Sequence, residues 1–87
     1  MTFQNTISKE LKDILKCCTS VEERHRIAKK HNISIHTLNS VLNGNRKITL
    51  NNHDAILELL AQAISNAKSF HMSLIDYFHE VKYIKFI

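Results

Sequence analysis

The chain has 87 residues, one glycine, no proline and a formal net charge of +4. That length suits one small domain with a modest core. Near-absence of glycine and proline with long apolar-periodic stretches argues for an all-helical chain.

Charge is distributed more tellingly than its sum. Between Arg24 and His53 lie six Lys or Arg residues and no acidic one. A segment of one sign is the electrostatic footprint of a phosphate-binding surface. It is also what a solvated basic face would carry, so charge alone decides nothing. Cys17 and Cys18 are adjacent and make no favourable staple, and the six histidines stand singly. Neither Cys-x-x-Cys nor His-x-x-x-His spacing occurs, so no structural metal and no cofactor is expected. No secretory signal and no apolar run of transmembrane length is apparent, which reads as a cytoplasmic chain without a membrane partner.

Taken in order, residues 2–5 form a lead-in. Ile7, Leu11, Ile14, Leu15 and Cys18 then recur at the spacing of an amphipathic helix. Cys18 is expected in the core and Cys17 nearer its edge. Ser20 followed by Glu23 is a capping box, so a second helix begins near Val21, with Glu22 and Glu23 at its positive end. Val21, Ile27 and Ala28 are expected to face inward, and Arg24 is the leading phosphate clamp of this helix.

Asn32 marks a corner that needs left-handed backbone, which Asn tolerates better than most non-glycine residues. Ser34 is an N-cap, and Ile33 with Leu38 makes a hydrophobic staple for a third helix over about Ile35–Asn43. Leu38, Val41 and Leu42 form its apolar stripe, and Gly44 ends it. Two short helices joined by a tight turn and followed by a basic loop constitute a helix-turn-helix. In that arrangement the second helix lies in the DNA major groove. Ile35, His36, Thr37 and Ser40 are then the base contacts: Ile35 can meet a thymine methyl, and the other three can donate or accept. The alternative is a polar surface of no function. Against it stands the scarcity of Glu and Lys, which a helix built for solubility would carry.

The segment Ser34–Lys47, SIHTLNSVLNGNRK, resembles the phage-repressor-type (Cro/repressor, xenobiotic-response-element) helix-turn-helix family. Its familiar form is Ser-x-x-Thr-Leu-Ser-x-x-Glu-Asn-Gly-x-Arg. Ser34, Thr37, Leu38, Asn43, Gly44 and Arg46 match; Asn39 replaces a Ser and Leu42 replaces a Glu. Upstream, IAKKHNIS has Asn32 in the family's glycine place, and Arg24 stands where members often have Gln. The resemblance spans about residues 20–64. It implies a four- to five-helix all-α bundle, lambda-repressor-like, that binds double-stranded DNA as a homodimer and regulates transcription. By position it assigns phosphate contacts to Arg24, Asn43, Asn45, Arg46 and Lys47. The substitution at Leu42 implies that this position is buried or faces a neighbouring helix.

After Leu50 the pattern is helical again, with Asn51 and Asp54 suited to a helix start. Ile56, Leu59, Leu60, Ala63, Ile64 and Ala67 form a broad apolar face. Spacings of three and four then run through Phe70, Leu74, Tyr77, Val81 and Ile84, a coiled-coil-like seam read as the dimer contact. Ser73 with Asp76 favours a separate fifth helix over one long helix, and the apolar VKYIKFI ending is open to three readings: cover for the bundle core, a dimer contact, or a short strand paired across a dimer. The domain reading is a bundle over residues 1–68 with a C-terminal dimerisation element over residues 69–87.

No Gly-rich phosphate loop, nucleophile turn or close carboxylate pair is present, so catalysis is not expected and no small-molecule ligand is evident. The expectation is a dimeric DNA-binding repressor of the kind found on phages or mobile elements. Two other readings stay open, a protein-interaction module with this fold and an architectural or recombination-accessory DNA-binding factor.

Overall fold

The computed structural model describes residues 6–67 and 71–86. Among them five α-helices form: α1 (Lys9–Cys18), α2 (Val21–Lys30), α3 (Ile35–Leu42), α4 (His53–Asn66) and α5 (His71–Lys82). The architecture is an all-α bundle.

Three of the helices begin on a serine. The hydroxyls of Ser8, Ser20 and Ser34 accept from the backbone N–H three residues on, each satisfying a donor the helix leaves free. At Ser20 the box is closed in both directions, with Glu23 Oε1 accepting from the Ser20 N–H at 2.8 Å. Val21, expected inward, is instead 55% exposed. It is the first residue of α2, and the inward positions of that helix are filled by Ile27 and Ala28.

Helix α4 is the centre of the bundle and packs against α1, α2 and α5, while α2 packs on α3. Its Ala55, Ile56, Leu59, Leu60 and Ala63 are fully covered, together with Leu15, Ile27, Leu38, Val41, Leu42 and Leu74 from the surrounding helices. Burial of each large aliphatic side chain is worth about 1.5–3 kcal/mol. Polar ties fix how the helices sit. Asn66 at the end of α4 donates from Nδ2 to the Cys18 carbonyl and to Glu23, joining α4 to the α1–α2 corner. His53 at its start donates from Nε2 to the Val81 carbonyl at 2.9 Å, joining α4 to the end of α5.

Residues 51–81 therefore form two helices, but the serine expected to cap the second lies inside it. Helix α5 starts at His71, ahead of Ser73. The ending forms no strand among the described residues: α5 runs through Lys82 and an irregular segment follows.

The dimer seam needs correction. Leu74 and Val81 are 0% and 5% exposed within the protomer, so they are spent on its own core. Tyr77 and Ile84 pack partly against that core, and the Tyr77 hydroxyl donates to Glu10 at 3.1 Å. Phe70 lies outside the described residues. Spacings of three and four mark any helix that packs along its length, whether the neighbour is another chain or α4.

Candidate nucleic-acid interface

Helices α2 and α3 end in the same way. Past α2, the Asn32 N–H donates to the Lys29 carbonyl and the Ile33 N–H to the Ala28 carbonyl. Past α3, Gly44 donates to Val41 and Asn45 to Ser40. Both are Schellman motifs, in which a left-handed residue closes the helix and satisfies its last carbonyls. Asn32 has φ +59° and Gly44 φ +78°. The first motif turns the chain so that Ser34 can cap α3. The second turns it into the loop carrying Asn45, Arg46 and Lys47.

The pitch of α3 then decides what it presents. Leu38, Val41 and Leu42 are buried, Leu42 as its replacement of a glutamate implied. At about 100° per residue, His36, Asn39, Ser40 and Asn43 share the opposite face within roughly 100°. His36, Asn39 and Asn43 are exposed and Ser40 is half-buried. The other two expected base contacts lie on the flanks. Ile35 packs partly against the core. Thr37 is held at the cap, its Oγ1 accepting from the Ser34 hydroxyl at 2.9 Å. Asn39, which the sequence reading did not select, belongs to the outward face by helical pitch alone.

The loop after α3 is set from beneath by Asn52. This side chain is 2% exposed. Its Oδ1 accepts from the Thr49 N–H at 2.9 Å and its Nδ2 donates to the Lys47 carbonyl at 3.2 Å. Buried Ile48 anchors the same stretch. Both backbone flanks of Ile48 are thereby fixed, while Arg46 and Lys47 are left exposed. Sequence reading placed a helix start at Asn51 or Asp54 and missed Asn52, because its bonds run backward into the loop.

Between the turn, the start of α3 and this loop lies a groove of about 740 Å³, lined among others by His31, Asn32, Ser34, Thr37, Arg46 and Asn51. None of its lining residues is acidic. At its edge His31 is tied to Glu58 of α4, which accepts from His31 Nε2 at 2.8 Å and lies 3.0 Å from Lys30 Nζ. Those bonds, His31 first and then Lys30, hold the Glu58 carboxyl below the ordinary glutamate range.

Arg24 occupies a different place. Its Nη1 donates to the Thr19 carbonyl at 2.9 Å and to the Thr19 hydroxyl at 3.0 Å, at the corner between α1 and α2. Thr19 is itself buried and donates to the Leu15 carbonyl. Arg26 donates to Gln62. Asn43, Asn45, Arg46 and Lys47 thus gather at the end of α3, whereas Arg24 is engaged as a brace between helices.

The cysteines are free thiols, Cys17 exposed and Cys18 half-buried against the core. Burial, and then its neighbour Cys17, pushes the Cys18 thiol up, away from the reactive thiolate. Among the described residues, no helix is long and apolar enough to cross a membrane. Compared with family models, curated proteins and solved structures, the chain matches none.

Proposed function

We propose that the protein is a sequence-specific DNA-binding regulator that acts as a dimeric repressor. The observation that carries this reading is the pairing of two chemistries at the end of α3. A face of polar donors and acceptors, His36, Asn39, Ser40 and Asn43, adjoins a loop that holds Arg46 and Lys47 outward. Polar groups suit base edges, whose donor and acceptor pattern differs between base pairs in the major groove. Fixed cations suit phosphates, which position a protein without reading sequence. The acid-free run from Arg24 to His53 removes the repulsion that a carboxylate would add. The resemblance of SIHTLNSVLNGNRK to the phage-repressor family supports the same reading.

In this reading each protomer inserts α3 into a major groove, with Ser40 and His36 at base edges. Arg46, Lys47 and the amides of Asn43 and Asn45 grip the flanking backbone. A dimer then reads two half-sites about 34 Å apart and occludes a promoter that contains them. A second reading, a protein-interaction module, draws on Leu50 and Val21, which are 75% and 55% exposed.

Titration of labelled mixed-sequence duplex across a salt series tests the proposal. The logarithm of the affinity is expected to fall linearly with the logarithm of salt, by about 0.9 per phosphate neutralised. Absence of binding at low salt contradicts it.

A further inference from the structure

Helix α5 has two unlike faces. Leu74, Tyr77, Val81 and Ile84 are turned into the protomer. On the other side Met72 and Tyr83 are 72% and 68% exposed, large apolar groups left in water. At about 100° per residue, Met72, Asp76, His79 and Tyr83 lie within roughly 60° of one another and form one stripe three turns long. Tyr83 keeps its helical place although it follows the last residue of α5, because its N–H donates to the His79 carbonyl at 3.1 Å. The rings of His79 and Tyr83 stack with centroids 6.3 Å apart and planes 10° from parallel. Lys82 Nζ lies 5.6 Å from the Tyr83 ring centroid. The C-terminal half of the stripe is thus a flat aromatic surface.

We propose that this stripe docks a second copy of the chain, the two α5 helices crossing antiparallel about a two-fold axis. The stripe is complementary to itself in that arrangement. An axis midway between residues 77 and 78 sets Met72 opposite the partner's Tyr83 and Asp76 opposite the partner's His79, each pair occurring twice. The first pair joins a thioether to an aromatic ring, a favourable contact. The second joins a carboxylate to an imidazole N–H, which histidine can donate in either charge state. A parallel pairing would instead set Asp76 against its own copy, and like charges across an interface are unfavourable. One three-turn stripe falls in the small class of interfaces, below about 1,200 Å² in total. Free chains therefore associate weakly, and the association strengthens when one duplex holds both protomers.

This inference deepens the dimeric part of the proposed function and rests on that reading for its purpose. Its test contains no DNA, so failure of the interface and failure of DNA binding are separate results. Sedimentation equilibrium of the full chain over a concentration series compares the unmodified protein with Met72→Lys, with Asp76→Arg, and with Asp76→Arg combined with His79→Asp. All three sites are exposed, and circular dichroism checks that each variant is folded. A reversible monomer–dimer equilibrium is expected. Each single substitution should weaken it about tenfold or more, and the charge-swapped double variant should recover most of that loss. Monomer at every concentration overturns the proposal. So does a dimer indifferent to Met72→Lys and Asp76→Arg. Failure of the double variant to recover overturns the antiparallel register.

Discussion

His31 Nε2 stands 2.8 Å from Glu58 Oε1, joining the turn between α2 and α3 to the middle of α4. The residues are 27 apart in sequence, so the bond fixes how the α2–α3 pair sits on the bundle. Because the folded carboxyl titrates below its ordinary range, its contribution to stability is present above the unfolded value. It is lost as pH falls through the lowered folded value. Glu23 acts in the same direction, held down first by the Ser20 N–H and then by Asn66. Urea unfolding should therefore show stability dropping as pH falls below the ordinary glutamate range and through the lowered folded values of these two groups. Glu58→Gln should cost about 1 kcal/mol near neutral pH and flatten that drop. Equal acid sensitivity in the variant would show that Glu58 contributes nothing to it.

The left-handed residues that close α2 and α3 give opposite expectations for simple substitutions. Asn32→Ala should cost about 1 kcal/mol, whereas Asn32→Gly should be neutral or slightly stabilising. Gly44→Ala should cost more, about 1–2 kcal/mol, from the same backbone penalty. In addition, a Cβ at Gly44 would stand 3.2 Å from the Ile7 carbonyl oxygen. Thermal unfolding of the three variants checks the order; a harmless Gly44→Ala would mean that the loop after α3 relaxes freely.

What was legible in the chain beforehand was mostly what lies within one or two turns. The Ser20–Glu23 box, the Ser34 cap, the corner at Asn32 and the end at Gly44 are local signals, and the structure has each of them. Burial of Leu42 was legible as well, since an apolar residue in a polar place needs cover. Contacts between distant segments left no such mark. Asn52 reads as one of several polar residues before α4, until its bonds to Thr49 and Lys47 show it holding the loop. Arg24 reads as a free cation, and only the fold brings the Thr19 carbonyl and hydroxyl to it. The apolar spacing of α5 was correct, but nothing in a spacing says whether α4 or a second chain will cover it.

Arg24 is expected to behave as a brace. Arg24→Ala should cost about 1 kcal/mol of stability, through the hydrogen bonds lost at the buried Thr19. Its effect on the salt dependence of DNA binding should be smaller than that of Arg46→Ala. Chemical denaturation together with a salt titration separates the two. A reduced salt slope with unchanged stability would return Arg24 to the phosphate contacts.

Along α3 and its loop, two classes of substitution should part. Arg46→Ala should weaken binding to all duplexes alike and reduce the salt slope by about one. Ser40→Ala or His36→Ala should alter sequence preference, with losses of about 1–3 kcal/mol on the preferred site. Competition binding on matched and scrambled duplexes distinguishes them, and identical behaviour of the two classes would refute the orientation of α3 in the groove.

The most direct measurement for the function proposed here is selection from random duplex DNA, with sequencing of the bound fraction at two salt concentrations. Enrichment of a palindrome whose half-sites lie one helical turn apart is expected. Salt-sensitive binding with no enriched sequence, or no binding even at low salt, would contradict it.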